Sequence, residues 1–388
     1  MNINLSLERN ITIAYLNAFI SNLAFFLPVM TLFFQQVVNS VTLVAIIFSI
    51  QAITSIIFEI PTGAFADLFG RRKTLIIQSF LTIIAITLLA VSTNFLMLVI
   101  FSVIFALKNA LGNGTDQALL YDTLKQMGRE EEYKKIQGRL GTLTYTGAII
   151  GGVAGGFMAG YFIRLPFLLT IPLTLIGLIT SFLLIEPEYK KEIHKNIVRH
   201  AHNSFKIILL NKELLLLFLF SLFSFGIAES TYHLEQIFYQ FVNLPVIYFG
   251  IVAAIASFMG VAGSLLSHHL SERFGDKRTL ILSKLLDGLM ILLATVFLGY
   301  ASIFLLILVS FFRSIGSPIA SHLFNREIES KNRATILSMN NLLNNLGYMI
   351  FAPLIGYVAD LYSIATSFRI SGILLMLTVG FLFFIKKE

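Results

Sequence analysis

The stretch Phe58-Glu59-Ile60-Pro61-Thr62-Gly63-Ala64-Phe65-Ala66-Asp67-Leu68-Phe69-Gly70-Arg71-Arg72-Lys73-Thr74 follows one long apolar run and immediately precedes another. A helix leaving an apolar phase here ends at Gly70, the residue type that tolerates the left-handed turn after a helix. Arg71, Arg72 and Lys73 then fall on the polar side of the turn, and Asp67 lies one helical turn before them. Gly63 and Ala64 keep the helix thin, which predicts a neighbouring helix in close approach.

The rest of the composition agrees with an apolar phase on both sides of this turn. Of 388 residues, 56% are hydrophobic and only 13% are charged; a soluble chain carries about 25% charged residues. Mean hydropathy is +0.83. With about 20 apolar residues per span, the length holds a dozen membrane helices. Cys is absent, which excludes disulfides, thiolate metal sites and Cys nucleophiles. The first twelve residues, with Glu8 and Arg9, do not resemble a cleavable signal peptide.

Apolar periodicity places spans at 12–37, 42–68, 74–93, 95–122, 136–161 and 165–185, and again at 213–240, 245–271, 279–299, 301–325, 333–361 and 366–385. The chain therefore divides into 1–185, a polar linker at 186–212, and 213–388. In the linker Ile193, Ile197, Ala201 and Phe205 recur at four-residue spacing among basic residues. That pattern predicts an amphipathic helix on an anionic membrane surface.

With the N-terminus inside, Arg9, Arg71 to Lys73, the loop Lys125–Arg139, Lys190 to Lys212, Arg273 to Lys284, Arg326 to Arg333 and Lys386-Lys387 all face the cytoplasm. The other face keeps only Arg164 and Arg369. This one-sided placement puts both termini in the cytoplasm and accounts for the net charge of +7 without nucleic acid.

A repeat supports the division. Gly70-Arg71-Arg72-Lys73-Thr74-Leu75-Ile76 recurs as Gly275-Asp276-Lys277-Arg278-Thr279-Leu280-Ile281, 205 residues later. At the same offset Asp67 meets Glu272 and Lys108 meets Arg313. Duplicated six-span halves are a transporter pattern. In the second copy His268 replaces Gly63 and Asp276 replaces Arg71, which predicts a weaker turn contact there.

The pattern Gly63-x-x-x-Asp67-x-x-Gly70-Arg71-Arg72-Lys73 resembles the loop between spans 2 and 3 of the major facilitator superfamily. The resemblance implies an all-α membrane fold of twelve helices in two pseudo-symmetric halves. It also implies a conformational latch built from Gly63, Asp67, Gly70, Arg71, Arg72 and Lys73, with Glu272, Gly275 and Arg278 as its second copy. Lys108-Asn109-Ala110-Leu111-Gly112-Asn113-Gly114 resembles the span-4 motif of drug:proton antiporters, with Lys in the usual place of Arg. Gly147, Gly151, Gly152, Gly155 and Gly156 resemble the span-5 glycine motif of the same branch, with Gly152 where that motif has Pro. By that resemblance they pack span 5 on its counterpart in the other half; generic small-residue packing is the alternative.

Ionisable groups at membrane depth are costly and point to function. Lys108, Arg313, Asp116, Glu59 and Glu229 are the candidates for proton coupling. Asp116 lies eight residues beyond Lys108, about 12 Å along a helix. Glu59 has a second reading as a buried side chain shaping the bend at Pro61. Glu235 is expected nearer the outer surface and solvated, and Asp287 is expected to pair with Lys284 one turn away. Asn17, Asn22, Tyr232 and His233 are the expected cavity lining. His268-His269-x-x-Glu272 has metal-like spacing but sits at the second latch, so no metal is expected, and neither is a cofactor. No Gly-x-x-x-x-Gly-Lys loop exists to use ATP, and no catalytic constellation is present.

The resemblance implies a secondary active transporter of the cell membrane, working by alternating access. The expectation is proton-coupled export of small amphipathic or cationic compounds. An importer or lipid-type flippase, and a non-transport sensor or assembly factor on the same fold, are the alternatives. The partners expected are a small-molecule substrate, protons and membrane lipids, with the chain acting as a monomer.

Overall fold

A computed structural model describes residues 3–188, 211–328 and 333–385. The linker helix expected within 186–212 falls mainly outside these residues. Every regular element among them is helical. The first region carries α1 (Ile3–Ile20), α2 (Met30–Val38), α3 (Val41–Phe69), α4 (Arg71–Val91), α5 (Phe95–Gly112), α6 (Thr115–Gln126), α7 (Tyr133–Tyr161) and α8 (Leu165–Leu183). The second carries α9 (Lys212–Phe241), α10 (Phe249–Phe274), α11 (Asp276–Ala294) and α12 (Tyr300–Arg326), then α13 (Arg333–Leu361), α14 (Ile364–Leu377) and α15 (Val379–Phe383).

Ten stretches among the described residues are long and apolar enough to cross a membrane. Two expected spans fall outside that set for physical reasons. The first is broken into α1 and α2, and α11 carries Asp276, Lys277, Arg278, Lys284 and Asp287 in a single 19-residue helix. Counting these two gives the twelve-helix fold read from the sequence. The fourth span is also interrupted, at Asn113-Gly114, where Gly114 takes φ +78 between α5 and α6.

The helix ends follow local chemistry. Gly70 at φ +102 and Gly275 at φ +83 each supply the single reversing residue between two long helices. The side chain of Asn94 accepts the amide of Met97 at 3.1 Å, and that of Asn211 accepts the amides of Glu213 and Leu214. Such caps contribute about 1 kcal/mol each. Pro61 lies inside α3, and beside it the Thr62 hydroxyl lies within hydrogen-bond distance of the carbonyls of Phe58 (2.7 Å), Glu59 (3.2 Å) and Ala110 (3.1 Å).

The chain forms two compact units. Unit 1 holds residues 1–38, 53–193 and 246–251; unit 2 holds 39–52, 194–245 and 252–388. In unit 1 a cluster of rings, Phe26, Phe33, Phe34, Phe101, Phe105 and Phe167, packs with centroids 4.7–6.3 Å apart. The core of unit 2 runs through Leu214, Phe218, Leu280, Ile319, Phe324 and Leu382.

The 205-residue repeat extends further than the turn motif. Arg164 donates to the carbonyls of Ala90 (2.7 Å) and Ser92 (2.8 Å) at the end of α4. Its repeat mate Arg369 reaches Thr295 at the end of α11, donating to its hydroxyl (3.3 Å) and carbonyl (3.4 Å). Each guanidinium meets the orphan carbonyls and negative dipole end of a helix.

One further cap lies in unit 2. Asp360, near the end of α13, accepts the backbone N–H of Val41 (2.7 Å) and of Thr42 (2.9 Å). It also accepts the hydroxyls of Ser40 and Thr42, both at 2.6 Å. The first turn of α3 is thus capped by a carboxylate from the far end of the sequence.

Candidate functional site

The break between α1 and α2 organises unit 1. Residues 21–26 leave the helix in the middle of a stretch otherwise long enough to span. Irregular backbone at membrane depth is tolerated where it is buried in protein or lines a cavity. Helix α7 makes the room. A Cβ on Gly147 would lie 2.6 Å from the carbonyl oxygen of Phe19, and one on Gly151 would lie 2.9 Å from the Cα of Leu23. Gly155 meets the backbone of Phe25 still more tightly.

The other glycine face of α7 has a different partner. A Cβ on Gly156 would lie 2.9 Å from the carbonyl oxygen of Ile247, and Gly152 lies against the backbone of Gly250. So the five glycines form two stripes. Gly147, Gly151 and Gly155 hold the break of the first span, and Gly152 and Gly156 hold residues 246–250. The sequence reading assigned all five to one contact and missed the first.

A cavity of about 590 Å³ opens beside the break. Ser21 and Asn22 of the broken segment border it, as do Asn17, Gln78, Thr82, Phe105, Lys108, Asp116, Gln137 and Thr174. Lys108 lies about 20 Å along the axis from the start of α5 at 1.5 Å per residue. Its ammonium sits over the ring of Phe105, 4.3 Å from the centroid. Asn17 Oδ1 accepts the Thr180 hydroxyl at 2.8 Å, and Asn22 Nδ2 donates to the carbonyl of Ala18 at 2.8 Å. Asn17 and Asn22 both border this cavity.

Asp116 borders the same cavity from the first turn of α6, with Oδ1 accepting the Gln117 N–H at 2.8 Å. Glu59 does not border it, and its side chain is exposed rather than buried at the bend.

Unit 2 holds the second group of ionisable residues. Asp287 is fully buried, with Arg313 Nε at 3.5 Å and Lys284 Nζ at 3.6 Å. The pairing with Lys284 was legible from the spacing; the approach of Arg313 from α12 was not. On α9, His233 Nε2 lies 3.3 Å from Glu229 Oε1. The His233 ring packs against Phe48 (4.4 Å between centroids) and Tyr348 (5.3 Å). Tyr232 is exposed on the same helix.

Glu235 corrects the expectation of a solvated group. It is buried and accepts the Tyr239 hydroxyl at 2.9 Å, because α9 runs on to Phe241 and places a tyrosine one turn later.

The latch residues sort into partners that the sequence did not reveal. Arg71 forms an ion pair with Asp122 of α6 and donates to the carbonyl of Ala118 at 2.6 Å. Glu186 accepts the N–H groups of Arg71 (2.8 Å) and Arg72 (2.7 Å), capping α4. Arg72 also donates to the carbonyl of Phe182 at 2.9 Å. Gly63 does not receive a close neighbour: a Cβ there would meet nothing within 4 Å.

In the second copy an acid stands where the first has Arg71, and its partner is not the mate of Asp122, which is Glu327. Asp276, repeat mate of Arg71, accepts from Ser271 and pairs with His322 Nδ1 at 2.6 Å near the end of α12. Glu272 instead pairs with His268 on its own exposed face at 3.3 Å, and Arg278 is not part of the Asp276 contact. His268 and His269 form no cluster that could hold a metal among the described residues.

Broken helices around a polar cavity, a buried charge network and an internal duplication define a multi-pass membrane carrier. The sequence profile of the Major Facilitator Superfamily matches residues 11–286 and 236–388, and the chain belongs to that family. It is 24% identical to Multidrug resistance protein 2 of Bacillus subtilis, over 96% of this chain and 92% of that one. It is 21% identical to the Quinolone resistance protein NorA of Staphylococcus aureus, over 95% and 94%. The fold is shared with the nucleoside transporter NupG (TM-score 0.80, 16% identity, 100% of both chains) and a D-xylose-proton symporter (TM-score 0.71, 12% identity, 99% and 98%). The chain is a transporter and not an enzyme.

Proposed function

We propose that the chain is a proton-coupled exporter of small amphipathic compounds that works by alternating access as a monomer in the cell membrane, with both termini cytoplasmic. The observation that carries the coupling is the ionic network of unit 2. Three carboxylates (Glu229, Glu235 and Asp287), two cations (Lys284 and Arg313) and His233 sit within membrane helices. Such a network stores a proton at low cost, because protonating one carboxylate leaves the two cations matched by the other two.

Glu229 would take that role, and its partly open position beside His233 supports the reading. Asp116, on the cavity of unit 1, is the second candidate, and Glu59, Lys108 and Arg313 would tune or follow the charge. The contacts of Arg71 with Asp122 and of Glu186 with the start of α4 would serve as the latch that opens and closes during the cycle. Export is supported by the drug-resistance relatives. Uptake is the second reading, because a proton symporter shares the fold.

The test uses liposomes that carry an internal pH dye. With a proton gradient imposed, an amphipathic substrate should dissipate it through the wild type, and Glu229→Gln should abolish the effect while the protein still elutes as a folded species. Substrate movement that is independent of the gradient would remove the coupling.

A further inference from the structure

We propose that the cavity of unit 1 is a subsite for the head group of an amphipathic anion, a carboxylate or sulfonate carried on an aromatic or aliphatic body, with Lys108 as its counter-ion. This deepens the transporter reading and rests on it.

The first support is the charge. Lys108 forms no ion pair with a carboxylate among the described residues, and the contact its ammonium makes is with the ring of Phe105. Its position beside the 590 Å³ cavity leaves room for an anion, whereas a helix–helix ion pair would have filled that place. A desolvated ammonium next to an empty volume attracts negative charge and disfavours a cationic ligand.

The acid that shares the cavity does not neutralise it. Asp116 lies eight residues further along the chain. The interruption at Asn113-Gly114 separates it from α5, and Oδ1 is already engaged by the Gln117 N–H.

The second support is the wall beside the charge. Phe26 and Phe105 border the cavity and belong to the ring cluster that continues through Phe101 and Phe167. An apolar body can lie against Phe105 and the edge of the cluster at Phe26 while its head group reaches Lys108. The third is the direction of the amides. Because Asn17 Oδ1 takes the Thr180 hydroxyl, its Nδ2 remains to donate, and an amide donor suits an oxyanion. The broken first span supplies the approach of backbone to ligand that cavity sites in discontinuous helices use.

Three probes with one body separate the possibilities: 2-naphthoate, 2-naphthamide and 2-naphthylmethylammonium. The chain has no Trp, so naphthalene fluorescence in equilibrium dialysis against the purified full chain is read on a low background. The wild type should hold the carboxylate about tenfold more tightly than the amide, and the ammonium least. Lys108→Gln should bring the carboxylate down to the level of the amide, and Lys108→Arg should keep the preference.

A wild type that favours the ammonium, or a Lys108→Gln variant that keeps the carboxylate preference, overturns the proposal. If Lys108→Gln does not fold, the wild-type ranking and Lys108→Arg decide it. Proton flux in the dye-loaded liposomes is read separately. Anion preference without flux keeps the subsite and removes the coupling; flux driven by cations without anion preference does the reverse.

Discussion

Removing the carboxylate of Asp287 and removing one of its two cations should have very different costs. Asp287 is fully buried, and neither Arg313 at 3.5 Å nor Lys284 at 3.6 Å reaches good hydrogen-bond distance, so the interaction is chiefly Coulombic. Breaking a buried ion pair from one side costs about 3–5 kcal/mol, because the remaining charge is stranded. Asp287→Asn strands two cations, although Glu229 and Glu235 offset part of the charge on Arg313. The lower end, about 3 kcal/mol, is therefore expected. On the scaling for a unit of this size that is a drop of roughly 10 °C in melting temperature.

Lys284→Met removes one of the two cations and leaves Asp287 beside Arg313. Its cost should be well below that of Asp287→Asn, since the Asp287 carboxylate keeps the guanidinium of Arg313 as a partner. The two single variants and the double variant would be heated in detergent and the folded fraction read by size exclusion. The double variant should recover part of what Asp287→Asn loses. If Lys284→Met melts as early as Asp287→Asn, or if Asp287→Asn melts with the wild type, the charge-balance argument is wrong.

The glycine stripes give a graded prediction. Gly151→Ala and Gly147→Ala press a methyl on the backbone of the broken first span and should each cost about 1–3 kcal/mol in the same melting assay, whereas Gly63→Ala and Gly141→Ala meet open space and should be silent. At the turn between α3 and α4, Arg71→Glu should lower transport and stability, and adding Asp122→Arg should restore part of both, because the swapped pair keeps the attraction between the start of α4 and α6. A double-mutant cycle with no coupling would refute that pairing. Arg164→Gln should cost about 1–2 kcal/mol by uncapping α4, and Arg164→Lys should not rescue it, since a single ammonium lacks the fork that spans two carbonyls.

Much of the architecture was legible because the apolar runs are long and the turn at Gly70 is repeated at Gly275. The depth of Lys108 and the pairing of Asp287 with Lys284 followed from helical spacing alone. What escaped was set by distant partners. Nothing near Glu186 in the sequence says that it caps α4, and nothing near Arg313 says that Asp287 turns towards it. The burial of Glu235 depends on Tyr239, which was visible but was not weighed as a partner.

The break of the first span was hidden by its own composition. Leu23, Phe25, Phe26 and Leu27 keep the stretch apolar, so hydropathy runs straight through it. Its signals were Ser21-Asn22 at the start of the interruption and Pro28 just after it, together with a glycine every fourth residue on α7. Gly112-Asn113-Gly114 was the plainer case, and its turn chemistry should have divided α5 from α6.

The cap on α3 also sets an order of assembly. Asp360 comes 319 positions after Val41, a delay of roughly 15–60 s at the usual rates of synthesis. Through that interval the amides of Val41 and Thr42 have only water and lipid head groups to bond. The start of α3 therefore stays without its carboxylate cap until α13 has been made. A nascent chain stopped short of residue 360 keeps every residue of α3 and still lacks the group that finishes it.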